Sequence, residues 1–561
     1  MRAKWVVLWS LWLARLVRQP SVEVAVSGGR VRGSVSHDGS HVNYLGIPYA
    51  TVSREHRFQA PGPEPRWEGL FEATNENIRC SQQFGGILFG QQNCLTLNVY
   101  TPISISETPR PVMVFIHGGG FFQGSNSRFI WGPNYLVKKG VVLVSINYRL
   151  NIQGYLCLGI KEAPGNAGMK DQVVALKWVK RNIRAFGGDP DNVTIFGESA
   201  GAASVSYHIL SPMSKGLFHK AILQSGSSLV AWAHQYRPVY MASLLAKTMG
   251  FNSQDPRELY NYFMNKTDEE LILRRVPRKE GNVIISELLY VPCSEQAVEG
   301  VEPFLTESPY DALSLGNFNK VPMIIGSNSE EGYFFAGHEN GTTLSTITIE
   351  QSMPKDLVFP TDEERKNAAE KAKKIYMGDD EIKSSLLKFS KFSGDLYFEY
   401  PAVIETELIL GKTDEKVYNY LFNYTSWRNL PKMILGHPFK GAPGATHADD
   451  LFYLFQQPLI PTFFEMEMIT RITTLWTNFA KYGDPTPETT ELLPMKWAPT
   501  ERLSPQSFVI DSDFSTTPLW RSENLRFWHE LYTKYRRKPQ GVLTFRRCLL
   551  NFNISQFNIL I

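Results

Sequence analysis

"TIFGESAGAAS", residues 194–204, sets Ser199 between Gly197 and Gly201, after an apolar run and before a run of small residues. That order spells a strand, a sharp turn and a helix, the setting of a nucleophilic serine. Glycines flank the serine because side chains there would collide with strand and helix once the turn is tight enough to push the hydroxyl outward. The helix start then aims free N–H groups and its positive dipole end at negative charge developing near Ser199. An ordinary strand-to-helix turn is the competing reading. At about 7% glycine, a chain of this length yields roughly 0.2 chance matches to such a pentapeptide, so the rest of the chain must decide.

Working outward, short apolar runs alternate with longer helical patterns: "PVMVFI" at 111–116, "VVLVSINY" at 141–148, "NVTIF" at 192–196, "KAILQS" at 220–225, "VPMIIGS" at 321–327 and "VYNYLFNY" at 417–424. Continuous apolar strands separated by helices predict a large, mostly parallel sheet buried on both faces. Val173, Leu176, Val179, Ile183 and Phe186 make one apolar helix stripe that ends at Gly187 and Gly188. No flexible linker interrupts 21–535, so that span reads as one α/β domain with long loop and helix insertions, notably at 234–318 and 340–415. Residues 536–561 pair basic clusters with apolar patches and carry no legible function.

The 561 residues hold 58 basic and 55 acidic side chains, a net charge of +3. Such balance gives no sustained field for nucleic acid. No window resembles the ~20 apolar residues of a membrane-spanning helix. Residues 1–20 read equally as a signal-like segment without a clean cleavage site or as an amphipathic helix, so both a secreted and an intracellular location stay open. Of five cysteines, only Cys80 and Cys94 are near enough in sequence for a local bridge, and Cys157, Cys293 and Cys548 read as buried thiols.

A serine hydroxyl attacks an ester only if a histidine takes its proton and a carboxylate orients that histidine. With the chain order serine, acid, histidine, four histidines lie downstream: His338, His437, His447 and His529. His338 follows any acid too soon, and His529 sits in a closing helix pattern. His437 and His447 remain, with His447 well placed behind a glycine-rich loop. For the acid, "NSEEG" offers Glu330 and Glu331 at the end of an apolar strand, and the pattern does not choose between them. "FIHGGGFF" runs a strand into Gly118, Gly119 and Gly120, whose uncovered amides, with that of Ala200, can hold an oxyanion. No P-loop lysine follows, which argues against phosphate.

Taken together, "YLGIPYA", "NCLTLNVYTP", "HGGGF", "NYRL", "FGGDPDNVTIFGESAGAAS", "ILQSGS", "NSEEGYFF" and "HADDLFY" resemble the carboxylesterase and cholinesterase family over about residues 22–535, most like insect α-esterases. The resemblance implies an α/β-hydrolase fold and a serine carboxylesterase acting on small-molecule esters, with no cofactor and no metal. It implies Ser199 as nucleophile, His447 as base, Glu331 as acid, and Gly119, Gly120 and Ala200 as oxyanion donors. Glu198, Ser225 and Asp450 match positions that support the histidine, and Trp232 matches an acyl-pocket wall. The Cys80 to Cys94 bridge fits the family. A second family disulfide finds no partner for Cys293 and is expected to be absent, as suits an intracellular α-esterase. Gln92 and Asn93 replace the family's acidic pair, so its ion pair to an arginine is expected to be lost. Glu198 stands where juvenile hormone esterases usually carry glutamine, which counts against that substrate. A slow-turnover scavenger and a catalytically silent binding protein are the rival readings on the same fold, and the oligomeric state stays open.

Overall fold

The computed structural model describes Trp9 and residues 20–104, 106–285, 288–339 and 341–538. Nearly all of the N-terminal 1–20 segment, the tail beyond 538 and Cys548 lie outside the described residues.

The strands, in chain order, are β1 (Pro20–Val26), β2 (Gly29–Val35), β3 (His41–Pro48), β4 (Leu70–Glu72), β5 (Gln82–Phe84), β6 (Ile87–Phe89), β7 (Thr96–Pro102), β8 (Arg110–Ile116), β9 (Val142–Ile146), β10 (Gly188–Glu198), β11 (Lys220–Gln224), β12 (Met323–Asn328), β13 (Val417–Phe422), β14 (Gln506–Ile510) and β15 (Ser515–Pro518). β5 and β6 form a separate hairpin. The others build one sheet in the order β1-β2-β3-β7-β9-β8-β10-β11-β12-β13-β14-β15, with β4 beside β2. From β9 to β14 every neighbouring pair is parallel, and the flanks β1-β2-β3-β7-β9 and β14-β15 are antiparallel. With helices packed around it, this sheet is an α/β-hydrolase fold.

The apolar runs read from sequence are these parallel strands, and they are apolar because both faces are covered. Val112, Val114 and Ile116 of β8 join one core with Val144, Ile195 and Leu223. Met113 and Phe115 face the opposite core with Leu143, Phe196 and Ile222. The predicted helix stripe is the helix Ala167–Asn182 plus one tighter turn to Phe186, stopped by Gly187 at φ 78°. The two insertions contribute helices Pro238–Thr248, Pro256–Met264, Asp362–Tyr376, Leu386–Gly394 and Tyr400–Leu410, among others.

One expectation is overturned. Cys157 and Cys293 are bonded to each other, as are Cys80 and Cys94. Their 136-residue separation leaves no spacing signal in the sequence. What brings them together is Asn166, whose amide clasps both the N–H and the C=O of Cys293, and the buried Lys170–Glu295 pair beside it. Gly165 passes so close that a Cβ there would lie 2.8 Å from both sulfurs.

Candidate active site

All the candidate groups sit at the carboxyl ends of parallel strands, where such sheets gather functional loops. β10 ends at Glu198, and Ser199 follows at φ 59°, ψ −124°, a left-handed conformation that a non-glycine residue adopts only when its surroundings force it. The enforcing contacts are backbone. A Cβ on Gly201 would lie 2.1 Å from Ile116 O, one on Gly197 would lie 2.5 Å from the Gly201 carbonyl carbon, and one on Gly226 would lie 2.2 Å from Ser199 O. Helix Ala200–Leu210 begins at the next residue.

β8 leads into His117, whose ring stacks on Tyr148 and whose carbonyl accepts the Tyr148 hydroxyl at 2.7 Å. This anchor holds the glycine loop against the serine turn, so that a Cβ on Gly118 would lie 3.1 Å from that of Ser199. The amides of Gly119, Gly120 and Ala200 donate to no protein acceptor among the described residues. Three free N–H groups beside a serine can stabilise an oxyanion.

β12 ends at Asn328, and Glu331 follows one turn later. Its Oε1 accepts the Asn328 N–H at 2.7 Å and the Ser225 hydroxyl at 2.5 Å, and its Oε2 accepts His447 Nδ1–H at 2.6 Å. The loop carrying His447 is fixed by Asp449, whose carboxylate takes the Thr446 N–H and the Asn429 amide. Glu330 takes no part in the contact with His447. His437 is exposed, His338 is exposed and caps Phe334 O, and His529 packs on Trp520 in the helix Glu523–Tyr535.

On its other side, His447 Nε2 lies 3.1 Å from Glu198 Oε1, an oxygen that takes no hydrogen bond among the described residues. No hydrogen bond joins Ser199 Oγ to His447 among the described residues. Catalytic contacts of this kind commonly tighten only around bound substrate. Burial alone would depress the imidazole, but the carboxylates of Glu198, Glu331 and Asp450 outweigh it and hold it at about 9. Burial pushes Glu198 up to about 8, against the pull of the imidazole. The two groups therefore titrate as a coupled pair.

Asp450 sits behind this pair, accepting from Gln224 Nε2 at 2.7 Å and the Tyr420 hydroxyl at 3.1 Å. Asn328 ties it to the histidine loop, donating to both Thr446 O and Asp450. Trp232 is fully buried, donates to Tyr397 O, and reaches the site through Phe398, whose ring centroid is 4.7 Å from that of His447. Sequence reasoning did not single out Asn328, Phe398 or Phe335, the last with its ring centroid 5.1 Å from that of His447. Asn328 lies inside the quoted "NSEEG" stretch, so it was within reach. Phe398 rides on a π-helical turn, Asp395–Glu399, that no local pattern announces.

Comparisons with known proteins give the family and the fold. The profile of the carboxylesterase family matches residues 19–528. A juvenile hormone esterase of Tribolium castaneum is 33% identical over 494 residues, covering 82% of this chain and 83% of that protein. Esterase FE4 of Myzus persicae is 32% identical over 512 residues, covering 86% of this chain and 87% of that protein. Among solved structures, a juvenile hormone esterase from Manduca sexta, with OTFP covalently attached, superposes with a TM-score of 0.76 at 26% identity, covering 91% of this chain and 99% of that one.

Proposed function

The chain belongs to the carboxylesterase family and is a carboxylic ester hydrolase, and from that premise we propose that it works through an acyl-enzyme formed on Ser199. His447 takes the serine proton as the hydroxyl attacks the ester carbonyl. The amides of Gly119, Gly120 and Ala200 hold the oxyanion, and Glu331 keeps the imidazole oriented and steadies its positive charge. The alcohol leaves with the proton from His447, and water then repeats the sequence to release the acid. The observation that carries this reading is the 2.6 Å bond from His447 Nδ1 to Glu331, in a site whose serine is held in a left-handed turn. Trp232 and Phe398 wall the acyl side and favour short acyl groups, which fits small dietary, xenobiotic or odorant-type esters. Glu198 stands where juvenile hormone esterases usually carry glutamine, which counts against juvenile hormone as the substrate.

Stopped-flow hydrolysis of 4-nitrophenyl acetate, butyrate and octanoate, run beside Ser199→Ala, tests the mechanism. A serine-dependent burst followed by fast turnover is expected, with a rate loss on the order of 10⁴-fold or more in the variant. Turnover surviving in Ser199→Ala would overturn the assignment, and a burst without turnover would mark a scavenger.

The two disulfides favour an oxidising compartment and hence a secretory route. Alkylation and peptide mapping of the enzyme from its native source are expected to find all four of these cysteines paired. Free thiols at Cys157 and Cys293 would return the protein to the cytosol.

A further inference from the structure

Five Asn-x-Ser/Thr triplets, which ester hydrolysis does not use, begin at Asn192, Asn265, Asn340, Asn423 and Asn553. On the secretory route such a triplet accepts an oligosaccharide on the asparagine amide while the chain is still unfolded, and the finished fold must then keep that sugar in water. Asn340 and Asn553 lie outside the described residues. The other three differ in what the fold does with the amide.

Asn192 and Asn423 are half-buried, and each is bonded to a charged neighbour. The Oδ1 of Asn192, in β10, accepts from Lys220 Nζ, and Thr194, third in its triplet, is fully buried. Asn423 follows β13 and donates through Nδ2 to Asp511 at 2.6 Å, while a Cβ on Gly444 would lie 3.6 Å from its Oδ1. A sugar on either amide would have to leave a side chain that the fold has already enclosed.

Asn265 is exposed at the end of the helix Pro256–Met264. Its Nδ2 donates to Asn261 O at 3.0 Å, one turn back along the surface. An amide nitrogen carries two hydrogens, and this bond uses one. Thr267, exposed two residues on, caps the helix Asp268–Leu273 in a reciprocal box with Glu270. The intervening Lys266 carbonyl is held by Arg57 Nη1 at 2.9 Å. The backbone of the turn is therefore fixed while the asparagine amide stays in water. Among the described residues its hydrogen bonds run to Arg57, Asn261, Tyr262, Phe263, Glu270 and Leu271, none of which belongs to the catalytic site.

We propose that Asn265 carries an N-linked oligosaccharide and that Asn192 and Asn423 do not. The proposal rests on the secretory reading, because the donor, a lipid-linked oligosaccharyl pyrophosphate, is met on that route. Asn265 Nδ2 attacks the anomeric carbon of the donor. The new bond joins that carbon to Nδ2, the bond from the carbon to the pyrophosphate oxygen breaks, and the lipid pyrophosphate leaves with the electron pair. Nδ2 gives one proton to a base of the transferase and keeps the other, which still serves the bond to Asn261 O.

The test is peptide mapping of the full-length enzyme, secreted from eukaryotic cells and treated with a peptide N-glycosidase in heavy-oxygen water, beside a sample without the glycosidase. The treatment converts a glycosylated asparagine to an aspartate labelled with heavy oxygen. Label is expected at position 265 only in the treated sample, and the peptides over Asn192 and Asn423 are expected unlabelled. Asn265→Gln and Thr267→Ala are each expected to abolish the label at 265 and speed the protein on a gel, with 4-nitrophenyl acetate turnover at the wild-type rate, and Thr267→Ser is expected to keep the sugar. An unlabelled Asn265 in a protein whose four cysteines are paired would overturn the proposal and leave the secretory reading standing. With free thiols at Cys157 and Cys293 as well, both would fall. Label that persists in Thr267→Ala, or that forms without the glycosidase, would mark spontaneous deamidation and overturn the proposal. Label at Asn192 or Asn423 would show that enclosure in the fold does not select the site.

Discussion

His447 stands between two buried carboxyl groups that are held in different ways. Glu331, at Nδ1, is oriented by the Asn328 amide and the Ser225 hydroxyl before it accepts the imidazole N–H. Glu198, at Nε2, is as deeply buried, yet the oxygen nearest the ring takes no hydrogen bond among the described residues. A fully bonded carboxylate fixes a direction. An unbonded buried one supplies a field, and a costly one, because nothing compensates its desolvation. The pair teaches that one side of the imidazole is built for orientation and the other for tuning its charge.

Three substitutions test that division. The largest effect is expected from Glu331→Gln, which keeps the shape but favours the wrong tautomer, with kcat falling about 10³ to 10⁴-fold. A loss no greater than that of Glu198→Gln would erase the distinction. Next, Ser225→Ala removes one hydrogen bond to the charged Glu331 carboxylate, worth about 1.5–3 kcal/mol, and kcat is expected to fall about tenfold with KM unchanged. An equal rise in KM would make Ser225 a packing residue instead.

Glu198→Gln should cost the least at the rate plateau, less than about tenfold, but should move the pH profile. The sign follows from His447, which works as a base only when neutral. Burial depresses its affinity for a proton, and Glu198 is the leading carboxylate opposing that, holding it at about 9. Without Glu198 the imidazole gives up its proton more readily, so the acid limb of kcat/KM shifts to lower pH. A limb that stays in place would show that Glu198 exerts no field on the ring.

Much of this was legible because it is local. The parallel strands announce themselves as apolar runs, and the serine turn by glycines whose removal would put a Cβ into backbone. Long-range pairing was the harder part. Whether Glu330 or Glu331 meets the histidine depends on which way a loop turns above β12, and only the family resemblance pointed to Glu331. The Cys157–Cys293 bond joins stretches that nothing in their own sequence relates, and the expectation of its absence failed for that reason. Phe398 reaches His447 because a π-helical turn re-aims it, a backbone event with no composition signature.

The spread of the site along the chain bears on how the protein is born. The glycine loop leaves the ribosome about 330 residues ahead of His447, and Ser199 about 250 residues ahead. At about 5–20 residues per second, that is a delay on the order of ten to fifty seconds. Through that interval the nascent chain carries a serine with no base, and β13, which leads to the histidine, has not yet joined the sheet. Esterase activity thus arrives late and all at once, and its appearance during synthesis or refolding is a clock for the closing of the sheet.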